Sequence, residues 1–172
     1  MSDLTSINIT GCAKLERIYA PNCNKLATFN VSNANALKSV TLSNCNNANL
    51  SISLVGAPNL EELNLDNTNT TDVIEFAPGF NKLKTLNISS SNINAFQFGN
   101  DPVATTSTGE RILDLSPFTF TNLYMYYNSS KYVKFKNSKT NPFAVNSSTF
   151  NNCSSLTRVF GHIKLTSGSV FN

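Results

Sequence analysis

The stretch that decides the fold runs from Leu15 to Cys45 and reads LERIYAPNCNKLATFNVSNANALKSVTLSNC. Leucine recurs every eleven residues at Leu15, Leu26 and Leu37, and Leu4 lies eleven residues before the first of them. Apolar residues follow each leucine three and five positions later, and a cysteine often stands three positions after that. Self-similarity at a fixed period indicates a repeat architecture.

The same pattern continues, with slips in register, along most of the chain. The apolar positions of the units are Leu4-Ile7-Ile9, Leu15-Ile18-Ala20, Leu26-Phe29-Val31, Leu37-Val40-Leu42, Ile52-Leu54, Leu60-Leu63-Leu65, Ile74-Phe76, Leu83-Leu86-Ile88, Ile93-Phe96-Phe98, Leu113-Leu115, Phe120-Leu123-Met125 and Val133-Phe135. The alternating pair in each unit has a period of two, which predicts a short strand with one face inward. Turn residues such as Asn, Ser and Gly separate the strands.

One eleven-residue unit is too short to form a complete coil around a core. Extended chain rises about 3.3 Å per residue, so eleven residues trace at most about 36 Å. Two units give about 22 residues, within the range of known solenoid coils. We therefore predict an all-β fold, a parallel β-solenoid of leucine-rich-repeat type with two short strands per coil and roughly seven coils over residues 1–172. We also expect asparagines at the turns to hydrogen-bond from coil to coil, because buried polar groups need partners.

The composition excludes several classes of protein. Charged residues make up only 13% of the 172 residues and the net charge is +3, whereas 27 Asn, 21 Ser and 17 Thr supply more than a third of the chain. The scattered Lys and Arg do not form the dense basic stripe of a nucleic-acid surface. No apolar run approaches the roughly 18 residues that span a bilayer, and the first residues lack the pattern of a signal peptide. We predict no nucleic-acid partner and no membrane insertion.

The units resemble a known family. LERIYAPNC, LKSVTLSNC and FTNLYMYYN (120–128) match the leucine-rich-repeat signature, while NCNKLATF and FNNCSSLTRV (150–159) are similar to BspA-like leucine-rich repeats. The resemblance implies a surface-exposed or secreted recognition protein without catalytic activity, and related repeats occur in phage proteins. Two stretches depart from the pattern: residues 99–111 are predicted to be an irregular insertion within the single domain, and residues 138–146 to be a register change.

Residue types that carry chemistry do not form a convincing catalytic or metal site in the sequence. The four cysteines include no C-x-x-C pair, so buried free thiols are favoured over a disulfide between Cys23 and Cys45 or a metal site. His162 is the only histidine and has no adjacent nucleophile motif. Glu62, Asp72 and Asp114 are candidates for a converging carboxylate set, but nothing in their spacing favours it, and the stretch 66–72 (DNTNTTD) is a candidate calcium loop for which a polar turn is the favoured alternative. We predict no enzyme, no cofactor and no metal.

A recognition surface is the remaining functional prediction. If Leu123 and Met125 point inward, Tyr124 and Tyr126 point outward; by the same alternation Val133 and Phe135 place Tyr132, Lys134 and Lys136 outside. Exposed tyrosines are typical anchors of binding surfaces, although these rings alternatively cover neighbouring strands or the insertion. If the two sheets alternate, the two tyrosine groups lie on opposite faces, and only one of them belongs to a given partner site.

Two functions compete, the first favoured by the exposed tyrosines and the second by the open solenoid ends. The first is a module that binds another protein or a surface glycan as part of an adhesin-like extracellular or cell-surface protein. The second is an architectural subunit of a filament or a phage virion that self-associates through the solenoid ends, since unpaired strand edges invite stacking. The absence of atypical capping units suggests a section of a larger repeat protein, or ends that a neighbour covers.

Overall fold

The computed structural model describes residues 3–47, 49–70, 72–93, 95–145 and 149–166, and these residues form strands and turns without any helix. The strands are β1 (Ser6–Thr10), β2 (Arg17–Tyr19), β3 (Thr28–Ser32), β4 (Ser39–Thr41), β5 (Ser51–Leu54), β6 (Glu62–Asn64), β7 (Ile74–Phe76), β8 (Thr85–Asn87), β9 (Phe96–Phe98), β10 (Leu113–Asp114), β11 (Asn122–Tyr124), β12 (Tyr132–Lys134), β13 (Phe143–Val145), β14 (Arg158–Phe160) and β15 (Ile163–Leu165).

Successive strands alternate between two parallel sheets. Sheet I has the order β1-β3-β5-β7-β9, and sheet II has the order β2-β4-β6-β8-β11. Ile7 lies opposite Phe29 and Phe29 opposite Ile52, which are offsets of 22 and 23 residues. The predicted parallel β-solenoid, with two short strands per coil and about seven turns, is therefore confirmed.

The core lies between the two sheets and consists of the residues that the alternation predicts to face inward. Leu26, Leu37, Leu63 and Leu86 are fully buried. In the first coil, however, Leu4, Ile7, Ile9, Leu15 and Ile18 are only partly buried. In the described structure no strand lies on the outer side of β1 or β2, so these side chains pack against one neighbouring coil instead of two.

The regular stacking changes after β9. Residues 99–111 leave the solenoid, with an antiparallel bridge between Thr105 and Arg111. The chain then forms a three-stranded sheet, β10-β12-β14, and a two-stranded sheet, β13-β15, while β11 rejoins sheet II beside β8. Leu123 of β11 lies opposite Leu86, so this pair spans 37 residues instead of one coil length.

The turns that follow the strands of sheet II share a left-handed residue. This conformation costs an ordinary L-residue roughly 1–2 kcal/mol and is most accessible to Gly, Asn and Asp. The residues with φ between 50° and 60° in these turns are Asn22, Asn44, Asn67, Ser90 and Tyr127, and Asn152 has the same conformation in the turn between β13 and β14. Asparagine is thus abundant in these turns because it adopts the left-handed conformation at low cost. Asn67 also joins two coils, since its Nδ2 donates to Asn44 Oδ1 at 2.8 Å.

A buried residue whose side chain can donate a hydrogen bond follows each of these left-handed positions. We call five of them the inner ladder, because each donates a hydrogen bond to a backbone carbonyl of the preceding coil. The pairs are Cys45 Sγ to Ala20 (3.5 Å), Thr68 Oγ1 to Leu42 (2.6 Å), Ser91 Oγ to Leu65 (2.6 Å), Asn128 Nδ2 to Ile88 (2.9 Å) and Cys153 Sγ to Met125 (2.8 Å). Among the described residues, asparagine thus occupies the inner ladder only at Asn128, and cysteine, threonine or serine supplies the donor at the other four positions.

Candidate functional site

The structure separates the two tyrosine groups that the sequence predicts as a binding surface. Tyr124 lies on β11 at the edge of sheet II with 38% of its surface exposed, whereas Tyr126 is half-buried and its ring meets that of Tyr127 edge to face at 6.4 Å. Tyr132 lies on β12, in the sheet formed with β10 and β14. The two groups therefore belong to different sheets.

Tyr132 and Lys134 are held by other parts of the chain. The Tyr132 hydroxyl donates to Glu110 Oε2 at 2.7 Å, which ties β12 to the 99–111 segment. This hydrogen bond lowers the pKa of Glu110 and raises the pKa of Tyr132. Lys134 Nζ lies 2.7 Å from Asp114 Oδ2 on the neighbouring strand. For Tyr132 and Lys134, the structure therefore favours the alternative given above, in which these side chains contact the insertion or a neighbouring strand.

Lys136 remains exposed and lines the same cleft as Tyr124. β11 and β13 belong to consecutive coils, yet they do not pair with each other. A cavity of about 370 Å³ lies between them, lined by Phe120, Tyr124, Lys136 and Phe143 among others. Phenyl rings line this cleft, since Phe143 stacks on Phe135 with ring centroids 4.9 Å apart and meets Phe120 edge to face at 6.1 Å.

The outer face of sheet II carries a column of aligned side chains that we call the amide column. Strand register places its five members opposite one another on successive strands, in the order Tyr19, Thr41, Asn64, Asn87 and Tyr124. A shallow depression of about 230 Å³ runs over this face and is bounded at one end by Tyr124. Tyr124 therefore separates this depression from the cleft beside β13.

The two asparagines of the amide column have fixed orientations. Asn64 Oδ1 accepts a hydrogen bond from the backbone N–H of Asp66 at 3.0 Å, and Asn87 Oδ1 accepts one from Ser89 N–H at 3.1 Å. Within the described residues, neither Nδ2 group donates to another part of the protein. These two rungs thus present amide N–H donors whose orientation is set by the hydrogen bonds of the opposite amide oxygens.

The charge on this face is low. Arg17 lies on the neighbouring column with Glu62, and Arg17 Nη1 is 3.6 Å from Glu62 Oε2. The pair is exposed, so its contribution to stability is small. Its consequence here is that the two charges offset each other beside an uncharged column.

The outer face of sheet I offers a contrast. Its central column consists of Asn8, Asn30, Ser53, Glu75 and Gln97, without an aromatic residue. Asn30 Nδ2 donates to Asn8 Oδ1 at 3.2 Å, so these amides interact with each other along the sheet. The two faces of the solenoid therefore differ in what they present to a partner.

Two exposed tyrosines were missed by the sequence analysis. Tyr19 is 75% exposed and stands in the unit Leu15-Ile18-Ala20 at the position that Tyr124 occupies in its own unit, so the alternation would have found it. Tyr127 is 60% exposed and has φ 55°. Alternation cannot locate Tyr127 because it lies in the turn after β11, where the period of two no longer holds.

The carboxylates weighed for catalysis do not come together. Glu62 pairs with Arg17, Asp72 Oδ1 lies 2.9 Å from Arg111, and Asp114 pairs with Lys134. Each carboxylate thus faces its own cation in a different part of the solenoid.

The described residues hold no group of three or more His, Cys, Asp or Glu side chains arranged to bind a metal ion. In the stretch weighed as a calcium loop, Thr68 and Thr70 are buried and donate to the carbonyls of Leu42 (2.6 Å) and Asp72 (3.1 Å). Thr71 lies outside the described residues.

The cysteines are free, and three of the four are buried. Burial raises the pKa of the Cys45 and Cys153 thiols. The prediction of a core thiol is wrong for Cys12, which is exposed. Cys12 lies in the first coil, which has a neighbouring coil on only one side in the described structure.

The fold and the amide column define a parallel β-solenoid with one aromatic-flanked face. Comparison with protein-family models, with curated proteins and with solved structures found no match. Among the described residues, no helix has the length and apolar character needed to cross a membrane.

Proposed function

We propose that this protein is a non-enzymatic recognition module that binds its partner through the outer face of sheet II. Membership of the BspA-like leucine-rich-repeat family, and a place on an adhesin-like surface or secreted protein, are parts of this proposal that rest on the repeat pattern of the sequence. The observation that carries the proposal is the amide column, where oriented donors lie between two exposed tyrosines.

Preorganisation is the physical argument for binding. Ordering of side chains at an interface costs free energy, and groups already held in place avoid much of that cost. The interior strands of sheet II hold Thr41, Asn64 and Asn87 at fixed rungs. Tyrosine adds a large apolar surface with one polar end, which suits it to anchor a partner.

Photo-crosslinking tests the proposal without assuming what the partner is. A benzophenone amino acid replaces Tyr124 in one variant and Gln97, on the outer face of sheet I, in the control. After incubation with the surface fraction of the source cells and irradiation, we expect adducts from position 124 and few from position 97. Equal yields at the two positions, or none at either, would contradict the proposal.

A second candidate is the architectural subunit, favoured by the first coil. Its inward residues Leu4, Ile7 and Ile18 are only partly buried, and the outer edges of β1 and β2 have no neighbouring strand in the described structure. Stacking of a second copy on these strands would pair both edges and bury these side chains. Light scattering of the purified chain separates the two candidates: ordered oligomers indicate architecture, and a monomer indicates recognition.

A further inference from the structure

We propose that the ligand of the amide column is a neutral linear glycan that lies across the strands of sheet II, parallel to the solenoid axis. The inference rests on the proposed function and adds the chemical class of the ligand. It depends on the spacing of the column, on the donors that the column offers, and on the aromatic residues at its two ends.

The spacing of the column suits an extended polymer. Neighbouring strands lie about 4.8 Å apart, so the four steps from Tyr19 to Tyr124 cover roughly 19 Å. The intervening residues Thr41, Asn64 and Asn87 repeat once per rung. A chain of linked sugars presents hydroxyl groups at regular intervals and can match such a series rung by rung.

The donors suit hydroxyl and carbonyl oxygens. The side-chain oxygens of Asn64 and Asn87 already accept backbone hydrogen bonds, so these residues offer their N–H groups to a ligand. The Thr41 hydroxyl both donates and accepts. Sugar hydroxyl groups also do both, and they are uncharged, which fits a column that carries no charge of its own.

The tyrosines suit the apolar faces of sugar rings. A pyranose ring has C–H groups on its faces that pack against an aromatic ring, while its edge carries the hydroxyls. Tyr19 and Tyr124 are 75% and 38% exposed, and they flank the amides. A glycan stacked on either ring therefore reaches the donors with its hydroxyl edge.

A peptide strand fits this face less well. Strands recognise extended peptides through free backbone groups at a sheet edge. In sheet II, β4, β6 and β8 each pair on both sides, so their backbone groups are already used within the sheet. Only side chains point outward over the amide column.

The test compares paired substitutions on the two faces. Asn64→Asp together with Asn87→Asp removes the amide donors and keeps the oxygen that accepts from the backbone. Asp114 shows that aspartate makes the same turn, since its Oδ1 accepts from Ser116 N–H at 2.9 Å. Asn8→Asp together with Gln97→Glu makes the matched change on sheet I, since position 8 keeps the oxygen that accepts from Asn30 Nδ2 and the two new carboxylates lie at opposite ends of the column.

Cellohexaose, mannohexaose and chitohexaose are titrated into each protein by calorimetry, with circular dichroism as a check of folding. We expect at least one hexaose to bind the unmodified chain and the sheet I variant equally. Loss of two donors should weaken that binding by roughly tenfold in the sheet II variant. Tyr124→Ala should weaken binding as well, and mass spectrometry should recover the hexaose intact.

The outcomes separate this inference from the proposed function. Equal affinity of the sheet I and sheet II variants would overturn the amide column as the glycan site. Failure of all three hexaoses to bind the unmodified chain, together with crosslinks specific to position 124, would overturn the glycan and leave the recognition module. Absence of specific crosslinks would overturn the recognition module itself.

Discussion

At the scale of single residues, the inner ladder supplies hydrogen bonds to turn backbone that becomes buried when the coils stack. Turn backbones buried between coils need hydrogen-bond partners, and a side chain that reaches the next coil supplies them. Thr68 shows the geometry most clearly: its hydroxyl donates to Leu42 O at 2.6 Å and accepts from Cys45 N–H at 3.2 Å. The Ser91 hydroxyl repeats the arrangement one coil later, accepting from Thr68 N–H at 3.2 Å.

Replacement of Thr68 by valine tests the ladder at nearly constant volume. The substitution leaves the Cys45 N–H without its partner in a buried place, so we expect a loss of about 1–3 kcal/mol in the free energy of unfolding. Urea denaturation measures the change. Thr28→Val, on the exposed outer face of β3, is the control and should lie within about 0.5 kcal/mol of the parent protein. Equal effects of the two substitutions would show that the ladder contributes nothing.

At the scale of strands and turns, the corner after β5 depends on a close contact between the backbones of two coils. Gly56 follows β5, and a Cβ placed on it would lie 2.3 Å from Ser32 Cα and 2.5 Å from Val31 O. Both are backbone atoms of the preceding coil and cannot rotate away. Glycine at this corner therefore lets β3 and β5 approach to hydrogen-bonding distance, as Gly56 N–H donates to Val31 O at 3.0 Å.

Gly56→Ala should separate these two coils. Overpacking of this kind costs typically 1–3 kcal/mol, because the backbone itself must move. Thermal unfolding monitored by circular dichroism measures the loss. Ser53→Ala, on the outer face of β5, removes a hydroxyl without adding volume and should leave the midpoint nearly unchanged. A Gly56→Ala protein as stable as the Ser53→Ala protein would show that the corner accommodates a methyl group.

At the scale of the whole molecule, contacts run between neighbouring coils. The free energy of unfolding is therefore close to a sum of the stability of each coil and of each interface between coils. The four cysteines lie at different places along the solenoid. Cys12 is exposed in the first coil, Cys23 and Cys45 are buried in the following turns, and Cys153 is buried near β14. Each thiol therefore reports the opening of a different part of the solenoid.

Thiol labelling should proceed in separate phases. Because the reactive form of cysteine is the thiolate, burial both blocks the reagent and, for Cys45 and Cys153, raises the pKa and so lowers the thiolate fraction. We expect one rapid phase from Cys12 in the native protein and reaction of the other three thiols only when the structure opens. Mass spectrometry of labelled peptides assigns each phase, and Cys12→Ser should abolish the rapid one. Rapid labelling of Cys45 in the native protein would contradict the described core.

Much of the fold could be predicted because the repeat is local. Where leucine recurs at a fixed interval with an alternating pair after it, the spacing predicts which side chains face inward, as in the units from Leu26 to Leu42. The site was harder to predict. The alternation placed Tyr124 outside but said nothing of Tyr127, and it could not show that Tyr132 is engaged by Glu110, 22 residues away.

The sequence by itself determined the period of the solenoid and the inward face of each strand, because both follow from spacing along the chain. Only the tertiary structure decided which strands become neighbours after the 99–111 segment. Backbone hydrogen bonds are the same for every residue, so a strand pairs with whichever edge lies beside it. That is why Tyr124 stands next to Asn87, at an interval of 37 residues that no repeat predicts, and why the amide column ends in an aromatic ring.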